Sequence, residues 1–465
     1  MASNRRNFIK ALGACALAHT ALSAAPTTFT AHAADRSGYK ALVCVFLFGG
    51  LDCHDLILPY DPASYGQYAQ LRSSLLAQQG TARQRNRLLP ITPATSTALA
   101  GRQVALPPEM PQLERLFSQG RAAIVGNVGP LVEPVTRASF ESGSARLPPR
   151  LFSHNDQQAV WQANQPEGAQ FGWGGLFADA LLASGANASL PQFTTITTED
   201  VGPFLTGRSA VPYRVSVAEA ARVDFLEDFY EGMPGERAEL LQAVRDQLTA
   251  SSYRGDHLLE RDMAAALSGG IATNEAYSEA RQQGMALSTS FPQTPLGAQL
   301  KTVAETISVR DRLFASRQIF FVGLGGFDTH SAQARNLPRL LSQIDGAFAA
   351  FQASMETLGL GPDVTLFTAS DFGRTLAVNG DGTDHGWGGH QIVLGGAVKG
   401  GEIYGSLPPP TLGHDADSGG GRLIPSISVD TYAAQLGRWF GLNETELSAA
   451  LPGLKNFDSL ATNFI

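Results

Sequence analysis

Cysteine is scarce: the chain has three in 465 residues, and one of them, Cys15, lies in the first segment. Cys44 and Cys53 flank Gly49-Gly50. A disulfide between them would need the chain to double back on itself, so both are read as buried free thiols, and no metal knuckle is spelled out. Charge is also sparse, at 16% of residues with a formal net charge of −8. No basic run follows the first segment, which excludes a nucleic-acid partner that needs a clustered positive face. No apolar run is long enough to span a bilayer. Internal repeats and long low-complexity tracts are missing too.

The first residues read as a targeting segment. Asn4-Arg5-Arg6-Asn7-Phe8-Ile9-Lys10 resembles the twin-arginine export motif. An Ala-rich, mildly apolar run follows to Ala25, and Ala31-His32-Ala33 offers small residues to a signal peptidase. The expectation is a signal peptide over 1–33, cut near Ala33. Residues 34–465 would then be a periplasmic or secreted protein whose partner during export is the twin-arginine translocase.

Beyond the leader, short apolar runs alternate with helical periodicity, which predicts an α/β fold. Strands are expected at Leu42–Phe48, Ala122–Val128, Phe193–Ile196, Ile319–Leu324, Val364–Thr368 and Ile392–Leu394. Most are continuously apolar, as strands covered on both faces are. Helices are expected at Leu337–Leu358 and Thr431–Phe440, each with an apolar stripe. The stretch at about 215–317 is charged and strand-poor and is read as a mainly helical insertion.

Of the nine histidines, five fall in motifs that follow these apolar runs. GGLDCHD carries Asp52 and His54, and LFSHNDQQAVW carries Ser153, His154 and Asp156. GFDTH carries Asp328 and His330, SDFGRT carries Asp371 and Arg374, and GTDHGWGGH carries Asp384, His385 and His390. Loops that leave parallel strands at their carboxyl ends meet along one edge, so these groups predict one polar site. Asp328 and His330 point the same way on extended backbone and make half of a divalent-cation site. Asp52, Asp371, His385 and His390 are the other candidate ligands. Arg374 is a candidate for binding an anion's oxygens, or else a loop partner of Asp371. Ser153 reads either as a helix cap with Asp156 in the first turn or as a nucleophile at a helix start, with His154 beside it.

These motifs, taken in order along the chain, resemble the exported family called domain of unknown function 1501. That family looks like a distant branch of the alkaline phosphatase-like superfamily, which also holds sulfatases. The resemblance implies a three-layer sandwich, with a mostly parallel central sheet and helices on both faces. It implies a two-metal centre in which Asp52, Asp328, His330, Asp371 and His385 hold zinc or calcium and Ser153 attacks a small anionic ester. The chain departs from the superfamily where Phe372 follows Asp371 in place of a histidine. The function expected is therefore a metal-dependent hydrolase of phosphate or sulfate esters. The alternatives are a non-catalytic binding or surface-assembly protein on the same fold, and a serine carboxylesterase.

Overall fold

The computed structural model describes residues 37–95, 97–217, 258–458 and 462–465, together with positions 239 and 243. The leader and the first part of the expected helical insertion lie outside the described residues. The main sheet takes its strands from β1 (Lys40–Leu47), β2 (Ala122–Gly129), β3 (Thr195–Thr197), β4 (Tyr213–Arg214), β5 (Arg317–Leu324) and β6 (Val364–Ser370). A hairpin follows, β7 (Arg374–Val378) and β8 (Thr383–His385). The sheet is then completed by β9 (Gly389–Gly395), β10 (Ile403–Gly405) and β11 (Ile427–Ser428).

This nine-stranded sheet runs β10-β2-β9-β6-β1-β5-β3-β4, and β11 also pairs with β2. β1 is parallel to both β5 and β6, so it sits at the centre with its carboxyl end between theirs. β9 runs antiparallel to both of its neighbours, β2 and β6, although its apolar run is as continuous as the others. Burial on both faces sets that pattern regardless of strand direction.

Alternate residues of each strand serve different layers, because successive side chains point to opposite faces. Val43, Val45 and Leu47 of β1 face one core, while Leu42, Cys44 and Phe46 face the other. The first core is covered by α1 (Pro111–Ser118), α4 (Pro295–Ser308) and α5 (Gln333–Thr357). The second is covered by α2 (His154–Ala163), α3 (Trp173–Ala183) and α6 (Val429–Phe440). The result is a three-layer α/β sandwich with a mostly parallel sheet. Trp173 is a packing corner at the start of α3, where its indole N–H donates to the Trp161 carbonyl at 2.9 Å. Cys44 and Cys53 are buried and unpaired with one another. Among the described residues, no helix is long and apolar enough to cross a membrane.

The turn after β1 determines how the site is assembled. Gly49 and Gly50 have φ of +113° and +88°, a region that side chains rarely adopt. A Cβ on Gly49 would stand 2.3 Å from the Asp328 amide, and one on Gly50 would stand 2.5 Å from the Phe372 ring. The two glycines thus let the loops after β1, β5 and β6 pack onto each other without an intervening side chain.

Candidate metal centre

Three of the expected groups meet at one point: His154, Asp328 and His385 offer ligand atoms that all lie within 4.8 Å of one another. They come from different sources. Asp328 follows β5, His385 ends the hairpin strand β8, and His154 is the first residue of α2. His385 therefore reaches the site from a hairpin and not from the end of a parallel strand.

Each histidine is held by its Nδ1. His154 Nδ1 stands 2.6 Å from Asp371 Oδ2. His385 Nδ1 stands 2.7 Å from the Phe152 carbonyl oxygen. Neither oxygen has a proton to give, so both rings carry theirs on Nδ1 and leave Nε2 bare when neutral. His154 Nε2 is buried without a hydrogen-bond partner, 3.5 Å from Asp328 Oδ2. His385 Nε2 is 3.3 Å from Asp328 Oδ1. Oxygen acceptors behind ligating imidazoles, fixing tautomer and orientation, are the usual support of a metal site. Phe152 takes a φ of +74° to present its carbonyl in this way, a strained conformation for a residue with a side chain.

His330 stands beside this group. Its Nε2 lies 2.8 Å from His385 Nε2 and 3.2 Å from Asp328 Oδ1, while its Nδ1 is 3.4 Å from Asp384 Oδ1. The Phe372 ring packs against both His154 and His385, with centroids 4.9 and 4.5 Å away. It walls one side of the cluster with apolar surface.

The donor set suits zinc. Ligand atoms around a tetrahedral zinc stand roughly 3.3 Å apart, given bonds of about 2.0–2.1 Å. The 3.5 Å from His154 Nε2 to Asp328 Oδ2 is close to that spacing, while His385 Nε2 approaches the other oxygen, Oδ1, at 3.3 Å. Two imidazoles and a carboxylate fit zinc or another transition ion and are a poor set for calcium, which takes six or more oxygens. The Asp328 side chain is 47% exposed, so the cluster is open to solvent on one side.

Electrostatics sort the groups further. At His154 the hydrogen bond to Asp371 raises the pKa, burial opposes it, and the charges of Asp371 and Asp328 raise it again, with a net increase. At His385 burial and the neighbouring His154, Arg374 and His330 outweigh the Phe152 carbonyl and lower it. Burial works to raise the Asp328 carboxyl, but the Arg374 hydrogen bond and charge overcome it and hold it low.

Four expected roles are corrected, and that of Ser153 is narrowed, by where the side chains lie. Asp371 is fully buried, with Oδ1 accepting from the Gly49 amide and Oδ2 from Gln158 and His154. It acts behind His154 and has no face left for an ion. Asp52 accepts a forked pair from Arg72, with further bonds from Gln333 and the His54 amide. All of its oxygen capacity is spent inside the protein. Arg374 is fully buried, and its guanidinium is committed to the Gly49 carbonyl, to Thr383 and to Asp328, so it cannot grip a substrate oxygen. Ser153 sits at the N-cap, yet its hydroxyl donates to Asp156 Oδ2 at 2.9 Å in place of capping a backbone N–H. Ser153 is therefore no part of a Ser-His-Asp chain, because its proton goes to Asp156 and not to His154.

His390 is the fourth to be corrected. It accepts the Asn127 amide on Nδ1 and lines a cleft of about 30 Å³ with His54 and Arg102, apart from the cluster. Burial pushes His54 and His390 down to about 4 and about 3, from an ordinary 6.5. Both are neutral in the folded protein at neutral pH. As pH falls below 6.5 the unfolded chain takes these protons and the folded one does not. Stability should therefore drop by about 1.4 kcal/mol per pH unit for each histidine until the folded values are reached. Asp345 and Asp430, raised by burial to about 6, gain stability over the same range, so the test compares urea midpoints at pH 7 and pH 5 between wild type and His390→Gln; an equal pH dependence in the two proteins would contradict it.

Sequence reasoning missed the residues behind the site: Gln158, Gln333, Thr383 and the Phe152 carbonyl. Gln158 and Phe152 lie inside the His154 motif, and that neighbourhood was the available signal.

The family described as protein of unknown function, DUF1501, matches the chain over residues 39–423. No curated protein matches it. Among solved structures, the complex of Ps i-CgsB with k-i-k-neocarrahexaose is similar at 10% identity and a TM-score of 0.32, over 91% of this chain and 78% of that one. Wild-type alkaline phosphatase PafA is similar at 10% identity and a TM-score of 0.26, over 73% of this chain and 63% of that one. A variant of that enzyme gives 12% and 0.25, over 64% of its length. The chain thus spans under two thirds of the alkaline phosphatase chains, and at these TM-scores the likeness settles neither fold nor activity.

Proposed function

The chain belongs to the DUF1501 family, whose name states no activity, and we propose from its site that it is a zinc-type metal-dependent hydrolase of phosphate or sulfate esters. One observation carries this reading. Two imidazoles, locked by oxygen acceptors on Nδ1, turn bare Nε2 atoms toward a carboxylate that faces solvent. His154, Asp328 and His385 would hold the ion, with His330 as a fourth donor. The ion would supply Lewis acidity to a bound ester oxygen.

The chain's own groups supply the rest. Ser153 precedes the ligand His154 at the start of a ten-residue helix, where backbone N–H groups favour an anion. Its hydroxyl already donates to Asp156, the group placed to take the proton as Oγ attacks phosphorus or sulfur and the bond to the leaving alcohol breaks. Water then cleaves the seryl ester. The leader supports export, with the reaction run outside the cytoplasm.

Protein purified from the exported fraction should carry close to one equivalent of zinc by elemental analysis. It should turn over p-nitrophenyl phosphate or p-nitrophenyl sulfate, and chelation should remove the activity. Ser153→Ala should keep the metal and lose turnover. Metal-free protein that stays inactive after zinc addition would reject the reading. A second reading, a binding protein with a structural ion, is favoured by the Arg374 contact to Asp328 at 2.8 Å, because a guanidinium already neutralises the one exposed carboxylate of the cluster. It predicts bound zinc with no turnover of either ester.

A further inference from the structure

Asp52 lies in a buried chain of hydrogen bonds that ends on the candidate ligand Asp328. Asp52, Gln333, Thr383 and Arg374 are each at most 1% exposed, so water cannot substitute for a missing partner among them. Their chemistry allows only one direction along the chain. An ionised carboxylate only accepts, so Gln333 must turn its NH2 to Asp52. That leaves Gln333 Oε1 facing Thr329 Oγ1 at 3.1 Å and Thr383 Oγ1 at 2.7 Å. Both hydroxyls must then donate to it. With its proton committed, Thr383 Oγ1 has only lone pairs left, and one takes the Arg374 Nε–H at 3.3 Å. Arg374 in turn donates to Asp328 Oδ1, which leaves Asp328 Oδ2 toward His154. Reversing any link would set a carbonyl against a carboxylate, or a donor against a guanidinium.

We infer that Asp52, Gln333 and Thr383 form a one-way hydrogen-bond relay that holds Arg374 on Asp328 and so sets which oxygen Asp328 offers to an ion. They are positioning residues, none of which touches the ion. The inference rests on the proposed metal site, and the Arg72 fork keeps Asp52 ionised at its far end.

The test uses the full exported protein with zinc or cobalt alone. Thr383→Val keeps the side-chain shape and deletes the donor. It should weaken cobalt binding by roughly 10–100-fold, the range for partners behind metal ligands, and alter the visible absorption of bound cobalt. Thr383→Ser should restore both. Gln333→Met should mimic Thr383→Val and serves if that variant does not fold. Wild-type cobalt affinity and spectrum in the folded variants, with only a lowered Tm, would overturn the inference. If the wild-type protein binds neither metal, the metal-site reading fails on its own account. The relay is then judged from crystal structures of the metal-free variants, where Arg374 still bonded to Asp328 would overturn it.

Discussion

Arg72→Met should cost about 3–5 kcal/mol of folding free energy, because it strands a buried charge. The Asp52 and Arg72 side chains are 0% and 1% exposed. Arg72 also donates to the carbonyls of Leu376 and Thr375 at 3.1 and 2.8 Å, tying the β7 segment to the turn after β1. Burial works to raise the Asp52 pKa, and the Arg72 charge and hydrogen bonds override it, so its folded value is below the ordinary 3.8. Without Arg72 only the Gln333 bond and His54 still oppose burial, so the folded value should rise. The variant's deficit should then be largest at neutral pH and shrink as acid protonates Asp52. Urea denaturation at pH 7 and pH 5 reads both parts. A loss under about 1 kcal/mol would show that the pair is solvated and that the relay lacks its anchor. Replacing Arg72 and Asp52 together by apolar residues should recover part of the loss, since a buried pair stabilises little against a packed apolar one.

His154→Ala should abolish zinc binding and any hydrolysis that depends on it. The compact cluster has three ligands, and the loss should exceed the 10–100-fold expected for a partner behind a ligand. Asp371→Asn, which weakens the acceptor behind His154 and disturbs the bonds from Gly49 and Gln158 but removes no ligand, should fall within that range. The two variants thus separate a ligand from its support. A proton competes with the ion for His154, whose pKa is raised chiefly by the Asp371 hydrogen bond. Wild-type affinity should therefore weaken as pH falls and should release a proton on binding. Isothermal titration of zinc in two buffers of different ionisation heat measures this. Stoichiometric zinc in His154→Ala would place the ion elsewhere and end the assignment.

Much of the fold is legible in the sequence because its signals are local. Strands at 42–48, 122–128, 319–324 and 364–368 announce themselves as apolar runs, since a strand covered on both faces has no polar side to show. The short strands Tyr213–Arg214 and Ile427–Ser428 carry no such run and leave no mark. The antiparallel direction of β9 is equally silent, because direction comes from the connection and not from the composition of the strand.

The sequence alone determined which segments bring Asp and His residues to a common edge of the sheet. Strand ends followed by Gly-Gly, GFDTH and SDFGRT place those residues within a few positions of known turns. Only the tertiary structure decided which of them are free. Asp52 and Asp328 look alike along the chain, yet one is closed by Arg72 and the other opens to solvent between two histidines. A carboxylate's role is set by what else reaches it, and Arg72, Gln333, Arg374 and the Phe152 carbonyl reach these sites from segments far apart in sequence. Local patterning cannot encode that choice, since desolvation and pairing are properties of the packed neighbourhood.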